Sequence, residues 1–67
     1  MTPLEYKEKN LPMPVDALVI LRGLKENTFR RVAVLKINKK TVNVKFPGGV
    51  IVHGFIHDDI TQIGDVE

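Results

Sequence analysis

The sequence predicts a small all-β domain: a five-stranded, strongly bent barrel preceded by a short N-terminal helix or arm. Three observations predict it. Short apolar runs recur over residues 15–63, divided by turn signals such as Asn38-Lys39-Lys40 and Pro47-Gly48-Gly49. Thr41 to Phe46 alternates strictly, with Val42, Val44 and Phe46 inward and Thr41, Asn43 and Lys45 outward. Beyond Pro14 no stretch carries the apolar period of a long helix.

Each element has its own reason. Thr2-Pro3-Leu4-Glu5 has the form of a capping box: Thr2 accepts from the backbone three residues on, Pro3 suits the first helical position, and Glu5 reaches back. A helix from Pro3 to about Lys9 is one outcome and a frayed arm the other. Pro12 and Pro14 stop any helix, because they push Leu11 and Met13 toward extended backbone. Leu4, Leu11 and Met13 are expected to pack on one end of the barrel.

Val15 to Leu21 is a compact apolar run ended by Arg22-Gly23, hence a first strand, and Leu24 to Thr28 is turn-like. Phe29 to Ile37 is apolar on both faces near its middle, as a bent strand shared by two sides of a sheet requires. Thr41 to Phe46 follows, then Val50 to Ile56, with Val50, Val52 and Ile56 on one face. His57-Asp58-Asp59 suits a single helical turn and Ile60 to Ile63 a short closing strand. Residues 1–14 are thus the helix or arm, and residues 15–67 the barrel.

Composition narrows the function classes. A chain of 67 residues makes one domain, and burying only about 60% of its unfolded surface leaves it marginally stable. It has no cysteine, which excludes disulfides and thiolate zinc sites and fits a reducing compartment. The first ten residues are mixed charged and polar, and the longest apolar run, Ala17 to Leu21, is too short to span a bilayer. A cytoplasmic protein without a membrane partner is expected. The net charge of +2 hides an asymmetry: eight bases stand against Glu26 alone between Arg22 and Lys45. The remainder, with Asp58, Asp59, Asp65 and Glu67 and no Lys or Arg after Lys45, is acidic. A basic middle of this kind suggests an anionic partner.

Phe29-Arg30-Arg31-Val32-Ala33-Val34, Thr41-Val42-Asn43-Val44-Lys45-Phe46, Pro47-Gly48-Gly49 and Asp58-Asp59-Ile60 together resemble a Tudor-like repeat. Leu18 to Ile37 also looks like the KOW module of ribosomal and transcription proteins, through Val19-Ile20-Leu21-Arg22-Gly23 and Val32-Ala33-Val34. All of these are core or turn positions, so the resemblance implies an SH3/Tudor-like barrel, and function only by analogy. Two departures matter. Arg31 stands where KOW modules carry glycine. An aromatic cage for methylated side chains needs several converging rings, whereas this chain has no Trp, one Tyr and three Phe.

The candidate site is the basic set. Arg22, Arg30, Arg31, Lys36, Lys39, Lys40 and Lys45, with Asn43, are expected to form one stripe over the second and third strands and their hairpin, able to contact phosphates. Lys25 belongs to the same run, and Phe29 or Phe55 offers a stacking surface. Which of Arg30 and Arg31 faces outward stays open, since a one-residue bulge swaps them. The same charges also serve a solvated, aggregation-resistant surface. The alternative partner is a larger protein, docked through Ile51, Phe55, the Leu11 to Pro14 arm and the acidic closing segment.

Catalysis and cofactors are not expected. Cysteine and serine are both absent and no histidine partners a threonine; so small a barrel has little room for a pocket of ~300 Å³. His53 and His57 lie about 13 Å apart along an extended strand, too far to share a metal. Pro47-Gly48-Gly49 lacks the strand-to-helix setting of a phosphate loop. A small-molecule substrate is therefore not expected either.

Overall fold

The computed structural model describes residues 1–64; Asp65 and Glu67, two acids of the closing segment, lie outside them together with the end of the 15–67 unit. The described chain is mostly sheet. Helix α1 (Pro3–Glu8) precedes β1 (Val15–Arg22), β2 (Asn27–Ile37), β3 (Thr41–Lys45) and β4 (Ile51–Ile56). A 3-10 turn, His57–Asp59, leads into β5 (Ile60–Ile63). The five strands form one antiparallel sheet in the order β4-β3-β2-β1-β5. The all-β expectation holds, but the strands do not close into a barrel: β4 and β5 are left as the two edges.

The capping box forms. Glu5 N–H donates to the Thr2 hydroxyl at 3.2 Å, and Thr2 N–H donates to the Glu5 carboxylate at 3.3 Å. A helix of six residues has one usable face, and here Pro3 and Tyr6 bury it. The Tyr6 hydroxyl donates to the Pro12 carbonyl at 2.6 Å and ties down the extended return. Leu4, Leu11 and Met13 consequently stay exposed, contrary to expectation.

The strands meet along an inner face. Ala17 and Val19 of β1, Val32, Val34 and Ile37 of β2, Val42 and Val44 of β3, and Ile60 and Ile63 of β5 are buried there with Tyr6. Among the described residues no polar or charged side chain is buried. β1 and β2 run through eight consecutive pairs, from Val15 opposite Val34 to Arg22 opposite Asn27. Each of the other three pairings contains a bulge. Leu35 is the extra residue of β2 against β3, His53-Gly54 face Asn43 alone in the β3–β4 pairing, and Thr61 is extra in β5 against β1. A bulge bends the strand and reverses which side chains face inward beyond it.

The β4 bulge corrects one expectation. Val52 and Phe55 point inward, and Phe55 leans on Phe46 with ring centroids 5.9 Å apart. Ile56 and Val50 are exposed instead. The turn between β3 and β4 forms where expected, with Gly48 and Gly49 both at positive φ, which side chains resist.

The largest fully buried side chains are four valines: Val19, Val34, Val42 and Val44. Val34→Ala removes two methyl groups from this thin core and is expected to cost about 2–3 kcal/mol, read as a lowered urea midpoint at constant slope. The Thr2 backbone N–H, and then the Thr2 hydroxyl, hold the exposed Glu5 carboxyl below its ordinary value of 4.5. Because that pKa is depressed in the folded chain, the contribution of the cap is full above about pH 4.5 and is lost as pH falls through the folded value. NMR titration of the Glu5 carboxyl and the Thr2 amide should show both moving together below pH 4.5, and Thr2→Val, which removes the hydroxyl but keeps the backbone N–H, should reduce the shift without abolishing it.

Candidate nucleic-acid interface

Register decides which basic residues share a face. Arg31 pairs with Leu18, and Ala33 with both Asp16 and Lys45, on the side of the sheet opposite the core. Beyond the Leu35 bulge, Lys36 pairs with Asn43 on that same outer face. Without the bulge Lys36 would point into the core. Lys39 and Lys40 sit exposed at the tip of the β2–β3 hairpin. Arg31, Lys36, Asn43 and Lys45 are thereby brought together beside Lys39 and Lys40.

Two predicted members fall elsewhere. Arg30 pairs with the buried Val19 and belongs to the inner-face row, yet it is itself exposed, and its guanidinium donates to the Phe29 carbonyl at 3.3 Å. Arg31 is thus the outward arginine. Arg22, at the end of β1, donates through Nε to Asp59 at 3.3 Å and braces the 3-10 turn. Lys25 lies in the β1–β2 turn.

Arg31 and Asp16 approach to 3.8 Å, both well exposed, a geometry worth little in water. Among the described residues Lys36, Lys39, Lys40 and Lys45 form no ion pair. Neither β2 nor β3 carries an acid. Between Arg31 and Lys45 lies an open groove of about 250 Å³, with Ala33 and Pro47 beside it and Asp16 on its rim. The small Ala33 side chain leaves room there for a flat or anionic group between two cations. Of the two rings proposed for stacking, Phe55 is half-buried, while Phe29 is exposed on the outer face opposite Ile20.

The hairpin that presents Lys39 and Lys40 is held by Asn38. Its backbone N–H donates to the Thr41 backbone carbonyl at 2.8 Å, and its side-chain amide donates to the Thr41 hydroxyl at 3.2 Å and to the Asn43 side-chain oxygen Oδ1 at 3.3 Å. His57 Nε2 donates to the Asn38 carbonyl at 2.8 Å. His57 therefore clamps the hairpin rather than capping its own turn; the turn is capped by Asp59, which accepts from Ile56 N–H at 3.2 Å. His53 is exposed at the β4 bulge. Among the described residues no three His, Cys, Asp or Glu side chains converge as a metal set.

Sequence reasoning missed two features. Asn38 reads as an ordinary turn residue, and its role depends on a histidine nineteen positions away. An open cleft of about 510 Å³ also lies between the start of α1 and the closing segment, bordered by Met1, Leu4, His57, Asp58, Ile60 and Thr61. It is built by contacts between the chain's two ends, for which the sequence carries no local signal.

His57→Ala removes the clamp and is expected to cost about 1 kcal/mol, with faster amide exchange at Thr41 and Asn38 while the β1–β2 amides stay protected. Unchanged exchange there would show the contact to be passive. Comparison of the chain with protein-family models, curated proteins and solved structures finds no match.

Proposed function

We propose that this chain is a non-catalytic nucleic-acid-binding module, acting in the cytoplasm and built as an open variant of an SH3-like barrel. The carrying observation is the bulge at Leu35, which puts Lys36 and Asn43 on the same outer face as Arg31 and Lys45, next to the Lys39-Lys40 tip. The strand order and the single 3-10 turn before β5 support the SH3-like reading. Binding proceeds by neutralising phosphates and releasing counterions, with little base readout, since no helix is presented for a groove. Phe29 adds a stacking surface at the end of the same face.

A second reading, docking on a larger protein, is favoured by Leu24. It is wholly exposed at the β1–β2 turn, and Phe29, also exposed, lies on the next strand. An apolar tip of that kind suits a protein pocket more than a phosphate backbone.

Fluorescence anisotropy against short single-stranded and duplex DNA and RNA tests the first reading. The affinity should fall log-linearly with salt, at about 0.7–0.9 per phosphate contacted. The triple variant K39E/K40E/K45E should abolish binding with the melting curve intact, and K36Q should weaken it. Arg30→Gln, on the other face, should leave it unchanged. No binding at low salt, or equal losses from Arg30→Gln and Lys36→Gln, would overturn the reading.

A further inference from the structure

Among the described residues only β3 pairs with β4, which leaves the far side of β4 as an edge of the sheet. Natural sheets blunt exposed edges with lysines, prolines or inward charges, because an unpaired edge is a template for another strand. β4 has none of these. In a chain that is 27% charged, Val50 to His57 contains no Lys, Arg, Asp, Glu or Pro. Val50, Ile51 and Ile56 are exposed at 62%, 48% and 48%.

The bulge gives this edge a second property. In a regular strand the faces alternate, so residues five apart lie on opposite sides. Here His53-Gly54 together face Asn43, and the alternation is reset across them. Ile51 therefore shares the outer face with Ile56: the first pairs with Lys45 and the second with Thr41, both in the outer row of β3. Val52 and Phe55 share the inner face, opposite the buried Val44 and Val42. Both are only half-buried, for no strand lies beyond them to complete their cover.

From either end β4 runs outer isoleucine, inner apolar residue, two bulge residues, inner apolar residue, outer isoleucine. A strand that pairs antiparallel with a copy of itself needs such a pattern, symmetric about its midpoint, so that opposite residues share a face. A two-fold axis between His53 and Gly54 sets Ile51 opposite Ile56 of the copy on the outer face. The same axis sets Val52 opposite Phe55 of the copy on the inner face. Each pair occurs twice, and the two bulges meet at the axis.

We propose that two copies of this chain pair through β4, antiparallel about that axis, and join their sheets into one. Backbone bonds come from residues 51–55, since the Ile56 N–H already donates to Asp59. The strand itself is uncharged, so no like charges are set opposite one another along it. The junction is isologous and closes at two copies. One six-residue strand from each side makes a contact smaller than the standard interface of about 1,600 Å², so the dimer is a weak one. The inference stands apart from the nucleic-acid reading.

Light scattering after size exclusion, carried up to millimolar concentration, should show the parent chain passing from one protomer to two and no further. I51K and I56E, both at exposed positions, each set a charge opposite an isoleucine twice per dimer and should weaken association about tenfold or more. The double variant I51K/I56E sets the new lysine opposite the new glutamate at both ends and should regain the dimer. A parent chain that stays monomeric overturns the proposal, and that measurement needs no variant to fold. So does growth past two copies, association that either single variant leaves intact, or a double variant with an intact melting curve that fails to regain the dimer.

Discussion

A single sheet with no second layer must bury its apolar face against itself, and everything in this chain follows from that constraint. Flat, five antiparallel strands would leave one face open to water along its whole length. The three bulges prevent this by bending β2, β4 and β5, so that valines from β1, β2 and β3 meet isoleucines from β5 and the ring of Tyr6. Stabilisation grows roughly with the apolar area buried, and the bends are what bring these side chains together. The long β1–β2 ladder, regular through all its pairs, is the straight member on which the bent ones lean. Helix α1 then covers one end with Pro3 and Tyr6, held by a hydroxyl-to-carbonyl bond across the arm.

Much of this was legible in the residues, and the reason is local. Strand bodies, the Pro47-Gly48-Gly49 turn, the 3-10 turn and the capping box each depend on neighbours within a few positions, so composition and alternation suffice to find them. Bulges are less visible, because an inserted residue looks like continued strand. They do leave a trace: inward residues three apart instead of two, as in Val34 and Ile37, Val52 and Phe55, Ile60 and Ile63. The first of these reads as a strand apolar on both faces. The second is masked by plain alternation, which puts Ile56 inward and Phe55 outward. Contacts between distant segments left no trace at all, and both the His57 clamp and the cleft beside α1 belong to that class.

The candidate site shows the same division. Its composition is plain in the sequence, since eight bases against one acid cannot be missed. Its geometry is not, because the face that each base occupies is set by register. Arg30 and Arg31 are chemically equivalent neighbours, yet Arg31 sits in the outer row and Arg30 in the inner one. Arg22 is spent on bracing Asp59. What remains is a smaller and more coherent patch than the list of bases implies, concentrated on β2, β3 and their hairpin.

The valine core has a thermal corollary. A valine has one rotatable side-chain torsion and settles into few rotamers, so ordering it costs little entropy. A core of this size also exposes little apolar surface when it opens, and a chain of this length is expected to unfold with a heat-capacity change of only about 0.8–1 kcal/mol/K. Small heat capacity flattens the dependence of stability on temperature. Such a domain gains little by cooling and yields gradually on warming, so its melting is a broad slope rather than a cliff.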